Sequence, residues 1–127
     1  MDTKKVGNFG ERIAEKYLRD KGYQILDRNY FFKSFRGPLR GEIDIIAQKN
    51  GIISFIEVKT LRNPAEVISP EEKVNFSKQR KLRKTAESWL MGKRIPLNSK
   101  WQIDVISIRI EKGKAKINHF ENAISYA

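Results

Sequence analysis

The chain has 127 residues, enough for one hydrophobic core and too few for two comfortable ones, and its 26 Lys and Arg against 15 Asp and Glu give a formal charge of +11. With no cysteine and a single histidine, His119, it excludes disulfides, thiolate zinc sites, most histidine-rich metal sites and the usual serine or cysteine triads. A pI near 10 favours a polyanionic partner, nucleic acid ahead of an anionic membrane, since no basic helix carries a bulky aromatic face.

The apolar runs are strand-sized, and the basic N-terminus leads into charged sequence instead of a signal-peptide core, so a soluble cytoplasmic protein without a membrane partner is expected. Val6, Ile13, Ala14, Tyr17 and Leu18 recur at helical spacing and Gly22 supplies a stop, which predicts a helix over about 7–21. Tyr23 to about Phe32 reads as a strand, with Phe31 and Phe32 expected to fill the core. A loop with Gly37, Pro38 and Gly41 leads to a hairpin over 42–59, and 61–69 look irregular. Ser69-Pro70-Glu71-Glu72 has the residues of a helix start. Val74, Leu82, Ala86, Trp89 and Leu90 then mark an apolar face, and Gly92 ends the helix. Trp101 to Ile110 alternates as a strand, Lys112-Gly113 turn it, and Ala115 to Phe120 return beside it. This order predicts one α/β domain over 1–127, a central mixed sheet flanked by helices, with the second helix crossing over to a parallel strand.

Two apolar runs flank Lys49-Asn50-Gly51, and Asn-Gly is the strongest short signal for a tight hairpin turn. In that register paired numbers sum to 101, so Asp44 lies opposite Glu57, and Asp44, Glu57 and Lys59 share a face. Like charges opposed at about 5 Å destabilise a sheet, which implies a use for both carboxylates. Alternation also puts Ile43, Ile45, Ile56 and Val58 on one face and Ile46, Ile53 and Phe55 on the other.

Asp44, Glu57 thirteen residues on and Lys59 two beyond have the spacing of the PD-(D/E)XK nuclease core. Two carboxylates offer hard oxygen ligands to Mg²⁺ or Mn²⁺, metals that retain waters, one of which can attack a phosphodiester. Lys59 would offset developing negative charge, and the Val58 carbonyl is a further candidate ligand. Glu71-Glu72-Lys73 also fits Glu-X-Lys but lacks an opposed Asp. The competing structural explanation is an ordinary ion pair between Glu42 and Lys59, with Asp44 capping a strand end.

Beyond that core the chain resembles the YraN-like family of small predicted endonucleases, and more distantly the archaeal Holliday junction resolvases. Gly7-Asn8-Phe9-Gly10-Glu11 with Ala14 and Tyr17-Leu18, Gly41 to Ala47, Phe55 to Thr60, Lys78 to Leu82 with Ala86 and Trp89-Leu90, Ile103 to Ile106 and His119 to Ala123 carry the resemblance. It implies a restriction-endonuclease-like fold and a metal-dependent DNA endonuclease, with branched or repair intermediates as expected substrates. It also implies that Glu11 joins the metal site, where the alternative is a residue complementing the positive end of its helix. Gln79 is implied as a site-side amide. Resolvase-like cutting would favour a homodimer.

The chain departs from that pattern in a longer loop, Tyr30 to Arg40, and in Leu61, where an arginine is common and Arg62 follows instead. Arg36, Arg40 and Arg62, with Lys78, Arg80 and Lys81 on the second helix, are the candidate nucleic-acid contacts. Asp104 is read as a structural hydrogen-bond acceptor in preference to a distal ligand, and His119 as structural or exposed with no partner to make it a base. Trp89 and Trp101 are read as packing residues. The alternative to an enzyme is a non-catalytic nucleic-acid-binding module on a nuclease fold. RNA stands behind DNA as substrate, because 2′-OH contacts are not legible in sequence.

Overall fold

The computed structural model describes residues 3–34, 37, 40–61 and 76–123. Helix α1 (Thr3–Asp20) leads into β1 (Gln24–Lys33), β2 (Arg40–Lys49) and β3 (Ile52–Leu61). Helix α2 (Phe76–Gly92) then precedes β4 (Trp101–Glu111) and β5 (Lys114–Phe120). The five strands form one sheet in the order β1-β2-β3-β4-β5. Only β3 and β4 pair in parallel, as expected for strands joined through a helix. Among the described residues no helix is long and apolar enough to cross a membrane.

The turns follow their residues. Asn50 and Gly51 have φ of 52° and 76°, and Lys112 and Gly113 have 49° and 75°, the paired positive angles of tight hairpins. Helix α1 ends on Gly22 (φ 93°), with the Tyr23 amide bonded to the Leu18 carbonyl at 2.9 Å. Helix α2 ends at Gly92 as its sequence predicts, yet the left-handed cap falls on Arg94 (φ 59°). There the Ile95 amide reaches the Leu90 carbonyl at 2.9 Å, and the Ile95 side chain packs on the core beneath. The predicted helix start at Ser69-Pro70 lies outside the described residues.

Each helix covers one face. Ala14 and Leu18 of α1 pack on Ile45, Ala47, Ile56, Ile106 and Ile108. Leu82, Ala86, Trp89 and Leu90 of α2 pack on Ile43, Ile46, Ile53, Phe55, Ile103 and Val105. Trp89 and Trp101 both meet Phe55 edge-on, so both tryptophans pack as expected.

Two expectations from alternation fail in β1 and β2. Ile43 lies with Ile46 under α2, not with Ile45. The β1–β2 ladder runs through Arg28–Ile45 and Tyr30–Ile43 but skips the step between, where Asn29 has φ 50°. The two-residue period of β2 breaks at that same level, between Ile43 and Ile45. Phe31, expected in the core, is 57% exposed on this edge strand, while Phe32 is half-buried.

Two glycines let the helices close on the sheet. A Cβ on Gly10 of α1 would stand 2.1 Å from Thr60 Oγ1, and one on Gly41 of β2 would stand 1.7 Å from Thr85 Oγ1 and 3.2 Å from the Lys81 carbonyl. Thr85 is fully buried and its hydroxyl donates to the Lys81 carbonyl, so it has nowhere to retreat. Gly41→Ala should therefore lower stability by about 1–3 kcal/mol. Thr85→Ala in the same chain should recover part of that loss in chemical denaturation, whereas additive losses would place the strain elsewhere.

Candidate functional site

Strands β2 and β3 pair with numbers summing to 101, the register set by Asn50-Gly51, but only from Lys49–Ile52 to Ile45–Ile56. Beyond that point β2 remains with β1 and β3 with β4, so the sheet forks. Asp44 consequently is not the ladder partner of Glu57, as the extended register predicted. Its Oδ2 instead accepts a 2.7 Å hydrogen bond from the Val58 amide, in place of a β2 carbonyl. The Val58 side chain packs under α1. Glu42 pairs across to Phe31 of β1, and no Glu42–Lys59 ion pair is present among the described residues.

Helix α1 brings Glu11 to the fork, where its carboxyl is hydrogen-bonded to that of Asp44. Two carboxyl groups make such a bond only with a proton between them. Burial is the largest cause that raises Asp44, followed by the charge of Glu11, its hydrogen bond and the charge of Glu57; together they outweigh the Val58 amide and push Asp44 up to about 7. Glu11 is also raised, first by burial and then by the charge of Glu42. The pair therefore holds a proton near neutral pH.

Glu57 lies on the α2 face of β3, where its carboxylate meets Lys78 Nζ at 3.0 Å. Lys59, two residues on, shares that face and is half-buried, with no hydrogen bond or ion pair among the described residues. Gln79 is half-buried beside Lys78. Arg40, Lys78 and Lys81 border a cleft of about 290 Å³ whose floor includes Asp44 and Glu57. Arg80 is exposed outside it, and Arg36 and Arg62 lie outside the described residues. The structure thus gathers Glu11, Asp44 and Glu57 at one place, with three of the six expected cations around them.

Asp44 is open on a second side as well. A cleft of about 460 Å³ lies between α1 and the β1 edge, bordered by Asn8, Arg12, Arg28 and Asn29, with Asp44 and Glu11 at its inner end. Glu15 on its wall is held by Arg28 through Nε at 2.8 Å and through a second, terminal nitrogen, and by Arg19 at 2.9 Å. These guanidiniums, Arg28 above all, lower the Glu15 carboxyl to about 2 against some burial. Nothing in the hydrophobic pattern pointed to this wall, because Glu15 and Arg28 meet only once α1 lies across β1.

Glu11, Asp44 and Glu57 are spaced too widely for their donor atoms all to lie within 4.8 Å of one another; among the described residues the group of three acidic or histidine side chains that does so is a different one, Asp104, His119 and Glu121. Its atoms are already engaged. Asp104 is fully buried and accepts from Gln102 Nε2 and the Asn122 amide, both at 2.9 Å, and lies 2.8 Å from His119 Nε2. His119 Nδ1 meets the Tyr17 hydroxyl at 3.2 Å, and the Tyr23 hydroxyl donates to Glu121. This network clamps the end of β5 to β4 and α1. Asp104 is structural, as read from the sequence, whereas His119 has the partners that the sequence reading denied it. Glu11, Asp44 and Glu57 differ in chemistry: three carboxyl groups border the fork, compensated by the Val58 amide on Asp44, by Lys78 on Glu57 and by a proton. That donor set fits a hard divalent cation.

The chain matches the model of the family described as "Uncharacterised protein family UPF0102" over residues 10–108. A UPF0102 protein of Alkaliphilus oremlandii (strain OhILAs) is 45% identical over 123 residues, covering 95% of this chain and 98% of that one. Another, from Clostridium beijerinckii (strain ATCC 51743 / NCIMB 8052), is 41% identical over 122 residues, covering 95% and 94%. The crystal structure of a protein of unknown function, AF1548, is similar with a TM-score of 0.45 and 17% identity, covering 77% of this chain and 58% of that one.

The raised Asp44 carboxyl has a consequence for stability. The unfolded chain releases this proton near the ordinary aspartate value of 3.8, the folded chain only near 7. The folded state binds more protons between those limits, so the contribution of Asp44 to stability is greatest below about pH 4 and is lost as pH rises through 7. In metal-free buffer, chemical denaturation should show wild type losing on the order of 1–3 kcal/mol more than Asp44→Asn between pH 5 and 8. Parallel profiles would remove the shared proton from the site.

Proposed function

This chain belongs to the uncharacterised protein family UPF0102, the YraN-like family, and for it we propose a divalent-metal-dependent endonuclease of the PD-(D/E)XK type that hydrolyses phosphodiester bonds in DNA, branched or repair intermediates among its substrates. The observation that carries the reading is the Asp44 carboxylate set in the sheet fork. It is bonded to the Val58 amide and paired with Glu11, with Glu57 and Lys59 on the strand alongside. A protein that needed only packing here would fill the fork with an apolar side chain, because replacing buried ionisable groups by apolar ones is often neutral or stabilising.

Glu11, Asp44 and Glu57 would hold Mg²⁺ or Mn²⁺, with the Val58 carbonyl as a further ligand. When bound, such a cation supplies Lewis acidity to a phosphoryl oxygen and lowers the pKa of an attacking water. Binding requires Asp44 and Glu11 to give up their shared proton and Glu57 to exchange its contact with Lys78. Arg40, Lys78 and Lys81 then serve as cations along the nucleic-acid backbone at the mouth of the cleft. Lys59, two residues from Glu57 on the same face, offsets the charge that grows on the phosphate as the bond breaks. Gln79, beside Lys78 on α2, is the candidate site-side amide.

Purified protein incubated with linear, flapped and four-way-junction DNA in Mn²⁺ or Mg²⁺ should cut at least one of them and be silenced by EDTA. Asp44→Asn should reduce cleavage by more than about 100-fold while folding and DNA affinity persist. Binding without cutting in every metal would instead assign the chain to the non-catalytic nucleic-acid-binding class.

Lys59→Met tests the second role. It should lower single-turnover cleavage by about 10²–10³-fold. Mn²⁺ affinity, followed calorimetrically without DNA, should change little. Unchanged cleavage would remove Lys59 from the chemistry.

A further inference from the structure

The cleft between α1 and β1 is not needed to hold a metal or a phosphate backbone, yet it opens onto the same Asp44. Its chemistry differs from that of the basic cleft on the α2 side. The side chains of Asn8, Arg12 and Asn29 have no hydrogen-bond or ion-pair partner among the described residues. Two primary amides offer paired donors and acceptors, the pattern that matches the edge of a base. Arg28 is different: Glu15 grips its Nε and a terminal nitrogen, holding the guanidinium plane while its side chain stays 52% exposed. A fixed, exposed guanidinium plane is a surface on which a base can stack.

The backbone places one of these amides deliberately. Asn29 has φ 50° in the middle of β1, at the step where the ladder with β2 skips Asp44's level. Left-handed residues inside strands are uncommon, and such outliers concentrate where a side chain must be aimed. Here the departure sets Asn29 and Asp44 side by side on the border of one cleft.

We propose that this cleft receives a single unpaired nucleotide of the DNA, the one adjoining the phosphate held at Asp44, with Asn8 and Asn29 reading its base edge, Arg28 under its ring and Arg12 on its phosphate. The inference rests on the nuclease reading of Asp44 and adds a substrate class to it. In a paired base the Watson–Crick edge is occupied by its complement, so only a flap, gap, bulge or open junction supplies such a nucleotide. A cleft of about 460 Å³ has room for one nucleotide. With Arg28 neutralised by Glu15, Arg12 remains the cation available to a phosphate.

The test uses two DNAs that differ in one feature: a fully paired duplex, and the same duplex with one unpaired 2-aminopurine nucleotide. Binding is measured by anisotropy in Ca²⁺, and seating of the base by 2-aminopurine fluorescence; cleavage of both DNAs is followed separately in Mn²⁺. Wild type should prefer the unpaired DNA by about tenfold and change the 2-aminopurine signal on binding. Asn8→Ala, on an exposed helix surface, and Asn29→Gly, which tolerates the positive φ, should each lose most of that preference and the signal change. Equal affinity of wild type for both DNAs, or a preference unaltered in both variants, overturns the proposal. If Mn²⁺-dependent cleavage persists in that case, the nuclease reading stands without it. Failure to bind or cut either DNA overturns both. Displacement of the unpaired DNA by free deoxynucleoside monophosphate at equal concentration would make the occupant a free nucleotide and also overturn the proposal.

Discussion

The hydrogen bond from the Val58 amide to the Asp44 carboxylate joins the architecture to the candidate chemistry. Where β2 leaves β3, an inner strand would otherwise carry an unpaired amide in a half-buried place, which costs about as much as a lost hydrogen bond. Asp44 supplies the missing acceptor from a side chain, so the strands separate without an orphan donor. The same arrangement fixes the carboxyl between the two helices, within reach of Glu11 from α1 and of the electrostatic field of Glu57. Fork, proton and candidate ligand set are consequences of one contact.

The structure contains two buried acids on β4 and β2, and the way each is compensated separates scaffold from site. Asp104 receives a backbone amide, a side-chain amide and the imidazole of His119, and its surroundings leave no lone pair looking outward. That network ties β4, β5 and α1 into one rigid end. Asp44 receives one amide and another acid. An acid held against an acid at a fork raises its own pKa and weakens the fold above pH 7, and groups perturbed in this way cluster at functional sites. The close packing at Gly10 and Gly41 supports the same end of the sheet, since both helices approach the strands there without an intervening side chain.

Much of this was legible in the sequence because it rests on local rules. Asn50-Gly51 set the hairpin register, Gly22 ended α1, and alternation in β3 sorted Phe55 and Ile56 to their faces. What local rules do not carry is where a ladder stops. The register that paired Ile45 with Ile56 was correct, and its extension by one residue to Asp44 and Glu57 was not. Separation of β2 from β3 depends on each strand's other neighbour, β1 and β4. The face of Ile43 was misassigned for a related reason: the period of β2 breaks at Asp44, the level that its ladder with β1 omits. Exposure of Phe31 reflects the edge position of β1, which composition does not reveal. His119 was left without a partner because Asp104 and Tyr17 reach it from two separate elements, β4 and α1.

The site balances its own charge by two different means. Asp44 and Glu11 keep a proton, and Glu57 borrows Lys78 from the start of α2. Both are exchangeable, unlike a second buried ion pair or a permanent hydrogen-bond cage. A divalent cation arriving at three carboxylates would release the proton to solvent and Lys78 to the mouth of the cleft, where Arg40 and Lys81 already stand. Occupation of the site and the positive potential offered to a polyanion would then rise together. A chain with formal charge +11 has no shortage of cations to attract DNA, so attraction alone would not distinguish productive binding. Releasing Lys78 only when the carboxylates are occupied would couple backbone contact to a loaded site, and it would account for a lysine at the mouth of the cleft resting on a candidate ligand instead of in solvent.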